Sequence, residues 1–421
     1  MESGSHPARR PTPPAGWRGA RLSDDETVAK MGHPDLARPR VPLRTPRSKS
    51  IALTILALVV FSVARLPAAS EEVWELGPFT RPEGVNPVIQ PDAASLFHDP
   101  FREAPVHWEA LHTFNPAAIV RNGKIYMFYR AEDDTGKMEI GGHTSRLGLA
   151  TSSDGLHFTR GREPVFYPAR DSQAEREWPG GVEDPRIVEA EDGRYVLTYT
   201  QYNGQTYDVG IATSKDLLHW TKFGPAFQGS FGGKFDGLRY KSAGIVTTIK
   251  GSRLIAAKIH GRFWMYWGEG KIHLATSEDL IHWLPLLDVH GNPVVVLTKR
   301  PGHFDSGFPE VGPPPILTPA GLVLIYNGKN ATDGGDKLLQ PGTYSAGQAL
   351  YSTDDPLKQI SRLDKPFLRP EKPFERTGQY AAGTTFAEGL VLFKGKWMLY
   401  YGCADSLVGV VTSPAHLHST P

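Results

Sequence analysis

The sequence predicts an all-β fold, a five-bladed β-propeller behind a disordered leader and one short hydrophobic segment. Three observations carry this: a repeated unit, an aromatic strand pattern ahead of each copy, and no room between them for a long amphipathic helix. The unit Leu147-Gly-Leu-Ala-Thr-Ser-Ser-Asp-Gly-Leu-His-Phe158 returns as Val209-Gly-Ile-Ala-Thr-Ser-Lys-Asp-Leu-Leu-His-Trp220 and Ile272-His-Leu-Ala-Thr-Ser-Glu-Asp-Leu-Ile-His-Trp283. Shorter copies are Gln348–Asp355 and Val408–Ser413. The strand patterns are Lys124–Arg130, Arg194–Thr200, Arg262–Trp267, Gly321–Asn327 and Lys396–Tyr401. Asn122-Gly123, Asp192-Gly193 and Lys394-Gly395 precede three of them, as tight hairpin turns do. Sheet units repeated in one chain protect their edges by radial packing, and a strand near Glu71–Ile89 is expected to close the ring on the last blade.

The same repeat marks residues to set aside. A reaction needs one site near the pseudo-axis, whereas a motif in every blade is packing. Asp216 and Asp279 are therefore expected in Asx-type turns, and Trp220 and Trp283 between sheets, with His157, His219 and His282 going with them.

Ahead of the propeller, residues 1–50 hold ten Lys/Arg against five Asp/Glu and no apolar period, a disordered basic leader. Residues 51–70 follow as a signal peptide or anchor. The apolar run Ile51–Val63 is short for a membrane span, which needs roughly 20 residues, and small residues at Ala68, Ala69 and Ser70 suit cleavage. Export to the periplasm or the exterior is the expectation, with membrane anchoring through 51–63 if the segment is retained. The catalytic domain is expected over 71–421. The whole chain has a formal net charge of +1. With the basic leader removed the rest is mildly acidic, which argues against nucleic acid as a partner. Cys403 stands alone, so no intramolecular disulfide or Cys-based zinc cage can form.

Function is expected where the copies differ. Trp178-Pro-Gly-Gly-Val-Glu-Asp-Pro-Arg-Ile187 puts Glu183 and Asp184 in an acidic turn that no other blade copies. Glu269 ends an aromatic strand between two glycines, beside Tyr266 and Trp267, where an apolar cleft would raise its pKa. Glu310 precedes a stiff Pro-rich stretch, Gly312-Pro-Pro-Pro-Ile316. Asn115, Arg130, Arg146 and Asp405 sit at strand ends where they could face the axis. Each has a plain structural reading as well, as a turn, a cap or an exposed loop residue. Aromatic rings among several carboxylates suit a carbohydrate, whose faces stack and whose hydroxyls are held by polar groups. Two carboxylates from different blades, roughly 6.5–9.5 Å apart, would leave room for a water and give inversion. No Walker loop, dinucleotide fingerprint, serine elbow or His-rich metal spacing occurs, so no cofactor and no metal are expected.

In this order, Phe114-Asn-Pro-Ala117, Gly181-Val-Glu-Asp-Pro-Arg-Ile187, Trp264-Met-Tyr-Trp-Gly-Glu269, Val311-Gly-Pro-Pro-Pro-Ile316 and Tyr401-Gly-Cys-Ala-Asp405 resemble glycoside hydrolase family 130 over roughly 86–414. The resemblance implies a five-bladed propeller acting on β-mannosides with inversion, by hydrolysis or by phosphorolysis to mannose 1-phosphate. It gives Asp184 the role of the phosphorylases' proton donor, acting through the sugar 3-hydroxyl. Phosphorylases bind phosphate partly through a Tyr-His-Gly; the matching stretch here is Tyr326-Asn-Gly328. The hydrolytic β-1,2-mannosidase branch is similar in carrying two glutamates, matching Glu269 and Glu310. Hydrolysis of β-1,2-mannosides is therefore the favoured expectation, with Glu269 leaning to acid and Glu310 to base. Substrate contacts are expected from Asn115, Arg130, Arg146, Glu183, Tyr266 and Asp405. An arabinan- or xylan-cleaving propeller is disfavoured by Asn115, which stands where that type needs an Asp. A non-catalytic glycan-binding propeller is the other alternative.

Overall fold

The computed structural model describes residues 74–415; the leader 1–50 and the apolar segment 51–70 lie outside the described residues. Those described are nearly all β, with one short α-helix, Ala174–Glu177, and two 3-10 turns. Two of the expected turns have the hairpin form. Asn122 and Gly123 both take positive φ and join His112–Arg121 to Lys124–Glu132, and Lys394 and Gly395 do the same between Thr385–Phe393 and Lys396–Cys403. These φ signs match the twist of an antiparallel pair. Asp192-Gly193 departs from this, lying in a wider turn in which Gly193 N–H bonds the Ala190 carbonyl.

Consecutive strands pair antiparallel in local groups. The first runs His112–Arg121, Lys124–Glu132, Ser145–Ser152 and Thr159–Arg160. The second repeats it as Gly181–Glu189, Tyr195–Tyr202, Tyr207–Ser214 and Thr221–Pro225. The third is built on Ala243–Ile245, Arg262–Trp267, Ile272–Ser277 and Trp283–Pro285. The fourth uses Phe308–Val311, Gly321–Lys329, Tyr344–Tyr351 and Gln359–Arg362, and the last Thr385–Phe393, Lys396–Cys403 and Leu407–Pro414.

The buried apolar clusters lie between neighbouring groups. Phe128, Ile187 and Leu197 join the first to the second, and Val196, Met265 and Trp283 the second to the third. Ile272 with Leu324 and Ile325 with Leu399 continue the series, and Met127 with Tyr400 packs the first group against the last. The order of packing therefore returns on itself, a propeller-like arrangement. The N-terminal stretch reinforces that closure through bridges Thr80–Thr412 and Ile89–Val408.

The repeated motif has a local structural job. Asp154, Asp216 and Asp279 each accept backbone N–H groups two and three residues on, and each meets the ring of the following His at 2.7–2.8 Å. The three His rings are exposed. Trp220 presents an edge to Phe128 of the neighbouring group, and Trp283 is buried.

Three innermost strands carry a bulge at the same end. Their registers slip between Phe114 and Pro116, Glu183 and Arg186, and Ala387 and Gly389. At the first two, Asn115 (φ 46°) and Asp184 (φ 47°) are left-handed. Asn and Asp tolerate that region better than most residues, and a bulge re-aims the side chain it carries.

Candidate active site

The first two bulges aim Asn115 and Asp184 into a cavity of about 340 Å³, lined among others by Arg130, Glu183, Glu269, Glu310 and Asp405. Asp184 Oδ1 accepts from Asn115 Nδ2 at 2.7 Å and from Arg130 at 3.2 Å. The same guanidinium bonds Glu132 at 2.7 Å, Glu183 at 2.8 Å and Ser145 at 2.9 Å, and lies over the Phe114 ring. Four of the five N–H donors of Arg130 are thus spent, three of them on carboxylates. Behind it, Arg186 donates to the carbonyls of Asp184, Val311 and Gly312 and meets Glu388 at 2.8 Å, which ties the Asp184 bulge to the strand of Glu310.

Glu269 and Glu310 are neighbours across a β-bridge rather than groups facing each other over an open pit. Gly270 N–H bonds the Pro309 carbonyl and Val311 N–H the Gly268 carbonyl, the pattern of a non-hydrogen-bonded antiparallel pair. In such a pair the two side chains leave the same face close together. Lys241 lies between them, 3.8 Å from Glu269 Oε1, 3.7 Å from Glu310 Oε1 and 4.0 Å from Asp184 Oδ2. Ser242 Oγ donates to Glu310 at 2.5 Å.

Burial separates the carboxyls chemically. It pushes Glu310 up to about 7, with the nearby Glu269 charge adding to the shift and Lys241 opposing it. Glu183 also rises to about 7 and Asp405 to about 6, in both cases chiefly by burial. Burial acts the same way on Asp184, but Arg130, Lys241, Arg186 and the Asn115 amide outweigh it and hold the group down at about 2. Asp184 is therefore an acceptor at neutral pH, while Glu310 and Glu183 keep a proton available.

Two expected substrate contacts lie elsewhere. Arg146 is fully buried, paired with Asp133 at 2.7 Å and with Asp99. Tyr266 is buried against Tyr351 and donates to the Pro356 carbonyl at 2.8 Å. Neither lines the cavity. The apolar cleft expected around Glu269 is also absent from this surrounding. Tyr266 points to the opposite side of its strand, and Trp267 packs on Phe227, Tyr240 and His273. The buried glutamate is Glu310, with 1% of its side chain exposed against 28% for Glu269, the reverse of the expected order.

Lys241, Tyr202, Tyr207, Tyr344, Tyr380 and Phe386 complete the wall and were not singled out from the sequence. Lys241 was legible in principle. It stands two residues ahead of the third group's inner strand, much as Glu183 and Asp184 lie near the start of the second's and Glu310 in the fourth's. The tyrosines belong to loops or strand ends with no repeating pattern.

The profile of a family described as beta-1,4-mannooligosaccharide phosphorylase matches residues 86–417. The chain belongs to glycoside hydrolase family 130. Among curated relatives of this family, a 1,2-beta-oligomannan phosphorylase from Thermoanaerobacter sp. (strain X514) is 31% identical over 72% of this chain and 90% of its own. A glycosyl hydrolase structure from Bacteroides ovatus is 50% identical, covers 83% of this chain and 98% of its own, and superposes with a TM-score of 0.79. Another family 130 structure is 49% identical, with 82% and 98% coverage and a TM-score of 0.80. It is described with the words "The GH130 family of mannoside phosphorylases contains glycoside hydrolases that target beta-1,2 mannosidic linkages in Candida mannan". The curated family 130 relatives are named as phosphorylases, which backs phosphorolysis better than the hydrolysis favoured from sequence.

Proposed function

We propose that this family 130 enzyme breaks β-1,2-mannosidic bonds, with the inversion that the family resemblance implies, in the central cavity of a five-bladed propeller. The observation that carries the reading is the Glu269–Glu310 pair on one face, sharing Lys241. Asp184 and Asn115 hold the hydroxyls of the non-reducing mannose, and Tyr344, Tyr380 and Phe386 offer ring faces to the sugars. Glu310, buried and protonated to about pH 7, gives its proton to the leaving oxygen. Glu269, the more exposed partner, takes the proton of the attacking acceptor.

Two acceptors are open, and each has support. Phosphate is supported by the named activity of the curated relatives. Water is supported by the state of the cavity's two cations, Arg130 and Lys241, which are both already engaged by carboxylates. Asn327, at the position of the phosphorylases' phosphate-binding His, is fully buried and clips the backbone of Ala387 through both amide atoms. Asp184, held ionised, is also a poor proton donor. These features support water as the acceptor, against the activity named for the curated relatives.

Incubation of the pure protein with β-1,2-mannobiose, with and without phosphate, tests this. Mannose released at the same rate in both supports hydrolysis, and mannose 1-phosphate formed only with phosphate establishes the other acceptor. Export is the companion proposal, resting on the apolar run Ile51–Val63 behind Arg44, Arg47 and Lys49. N-terminal sequencing of protein recovered outside the cytoplasm should begin near Ser70; a chain found wholly in the cytoplasm would refute it.

A further inference from the structure

We infer that His112, Glu132 and His143 form a binding site for a divalent transition-metal ion beside the sugar cavity. Their potential ligand atoms all lie within 4.8 Å of one another. The sequence holds no hint of this, because the three come from two strands and the turn ahead of a third, at irregular spacing. The sheet assembles them. His112 sits directly opposite Glu132, and His143 stands two residues ahead of Ser145, the partner of Glu132 on its other side.

Each side chain is already oriented from behind. His143 Nδ1 lies 2.9 Å from the Thr135 carbonyl. A carbonyl only accepts, so Nδ1 carries the hydrogen and Nε2 is left to ligate. His112 Nδ1 is 2.9 Å from Ser406 Oγ, and in the tautomer in which that hydroxyl accepts, Nε2 is left to ligate. Glu132 Oε1 is held by Arg130 and by Ser145 Oγ at 3.4 Å, and Oε2 by Gln379 Nε2 at 3.0 Å, so Oε2 keeps a further lone pair. Imidazoles fixed through Nδ1 to a carbonyl or hydroxyl, and a carboxylate fixed by outer donors, are the outer shell that metal ligands characteristically have.

Bonds of about 2.0–2.2 Å put the ligands of a tetrahedral ion roughly 3.5 Å apart, so an inward turn of about an ångström closes this set. Glu132 and His143 are buried, while His112 is half-buried and leaves an approach for the ion and for a fourth ligand. Two imidazoles and one carboxylate select Zn2+, Co2+ or Ni2+ over Mg2+ and Ca2+. The site reaches the cavity through a single side chain, because Arg130 bonds Glu132 on one side and Glu183 and Asp184 on the other. It stands whichever acceptor the enzyme uses.

Titration of the chelator-treated protein with Co2+, read by visible absorption, should saturate at one ion per chain, with Zn2+ displacing it and Mg2+ not. His143→Ala and, separately, His112→Ala should each weaken Co2+ binding by at least about tenfold. Binding without saturation at one ion, or unchanged in both variants, would overturn the assignment. Should a variant fail to fold, anomalous diffraction from wild-type crystals grown with Zn2+ still decides. A peak among the three side chains supports the site; its absence there, with or without peaks at exposed histidines such as His157, rules it out.

Discussion

Glu310 and Glu269 share one lysine yet differ in their access to water, and the proposed roles of acid and base follow that difference. Replacing either with Gln removes a proton transfer, so each variant should lose about 10²–10⁴-fold in kcat on β-1,2-mannobiose. With Glu310 pushed up to about 7, activity should fall as pH rises through that value, when the acid loses its proton. The Ser242 hydrogen bond lowers this pKa, so Ser242→Ala should move the alkaline limb of kcat/KM to higher pH. A limb that stays in place would show that another group, such as Glu183, sets it. The stability consequence has a definite sign. A carboxyl whose folded pKa lies above its unfolded value of 4.5 binds its proton more tightly when folded, so its contribution is complete below 4.5 and is lost as pH climbs to about 7. Thermal melts of Glu310→Gln should therefore depend less on pH across that window.

Strands place these side chains through irregularities. Asn115 and Asp184 point into the cavity because each occupies a left-handed bulge immediately before a proline, at the same end of two neighbouring groups. Gly181, at the start of the Asp184 strand, has φ 118° and pairs in parallel with Ser145 of the first group. A Cβ there would collide with the Ser145 backbone. Gly181→Ala should cost about 1–3 kcal/mol, seen as a lower denaturation midpoint, and should raise KM as well, because Ser145 also holds Arg130. Wild-type stability with wild-type KM would show that the junction adapts freely.

Closure of the whole domain depends on residues far apart in the chain. Asn86 mimics a strand partner for the last group, its amide donating to the Val410 carbonyl at 2.9 Å and accepting from the Val410 N–H at 2.7 Å. Val410 is fully buried, so Asn86→Ala strands both groups away from water and should cost about 1–3 kcal/mol for each. Calorimetry should show a lower Tm with kcat little changed, since Asn86 lies outside the cavity lining. An unchanged Tm would mean that the bridges at Thr80 and Ile89 close the domain unaided.

Periodic features were readable from the amino-acid order alone. The all-β class, the Asx turns of the repeat, the hairpins at Asn122-Gly123 and Lys394-Gly395, and the family follow from local patterns, because backbone conformation and packing faces are local demands. The acidic turn Glu183-Asp184 and the two glutamates also stood out, as departures from the repeat. Which side chains share a space is a different kind of fact. Arg146 and Tyr266 look like site residues until the fold shows their polar atoms already spent on Asp133, Asp99 and Pro356. Lys241 looks ordinary until three carboxylates from separate strands converge on it. The bridge between Glu269 and Glu310 likewise exists only once the third and fourth groups meet. Burial and charge neighbourhood are sums over distant parts of the chain, and they bury Glu310 where Glu269 stays partly open and push the Glu310 carboxyl up to about 7.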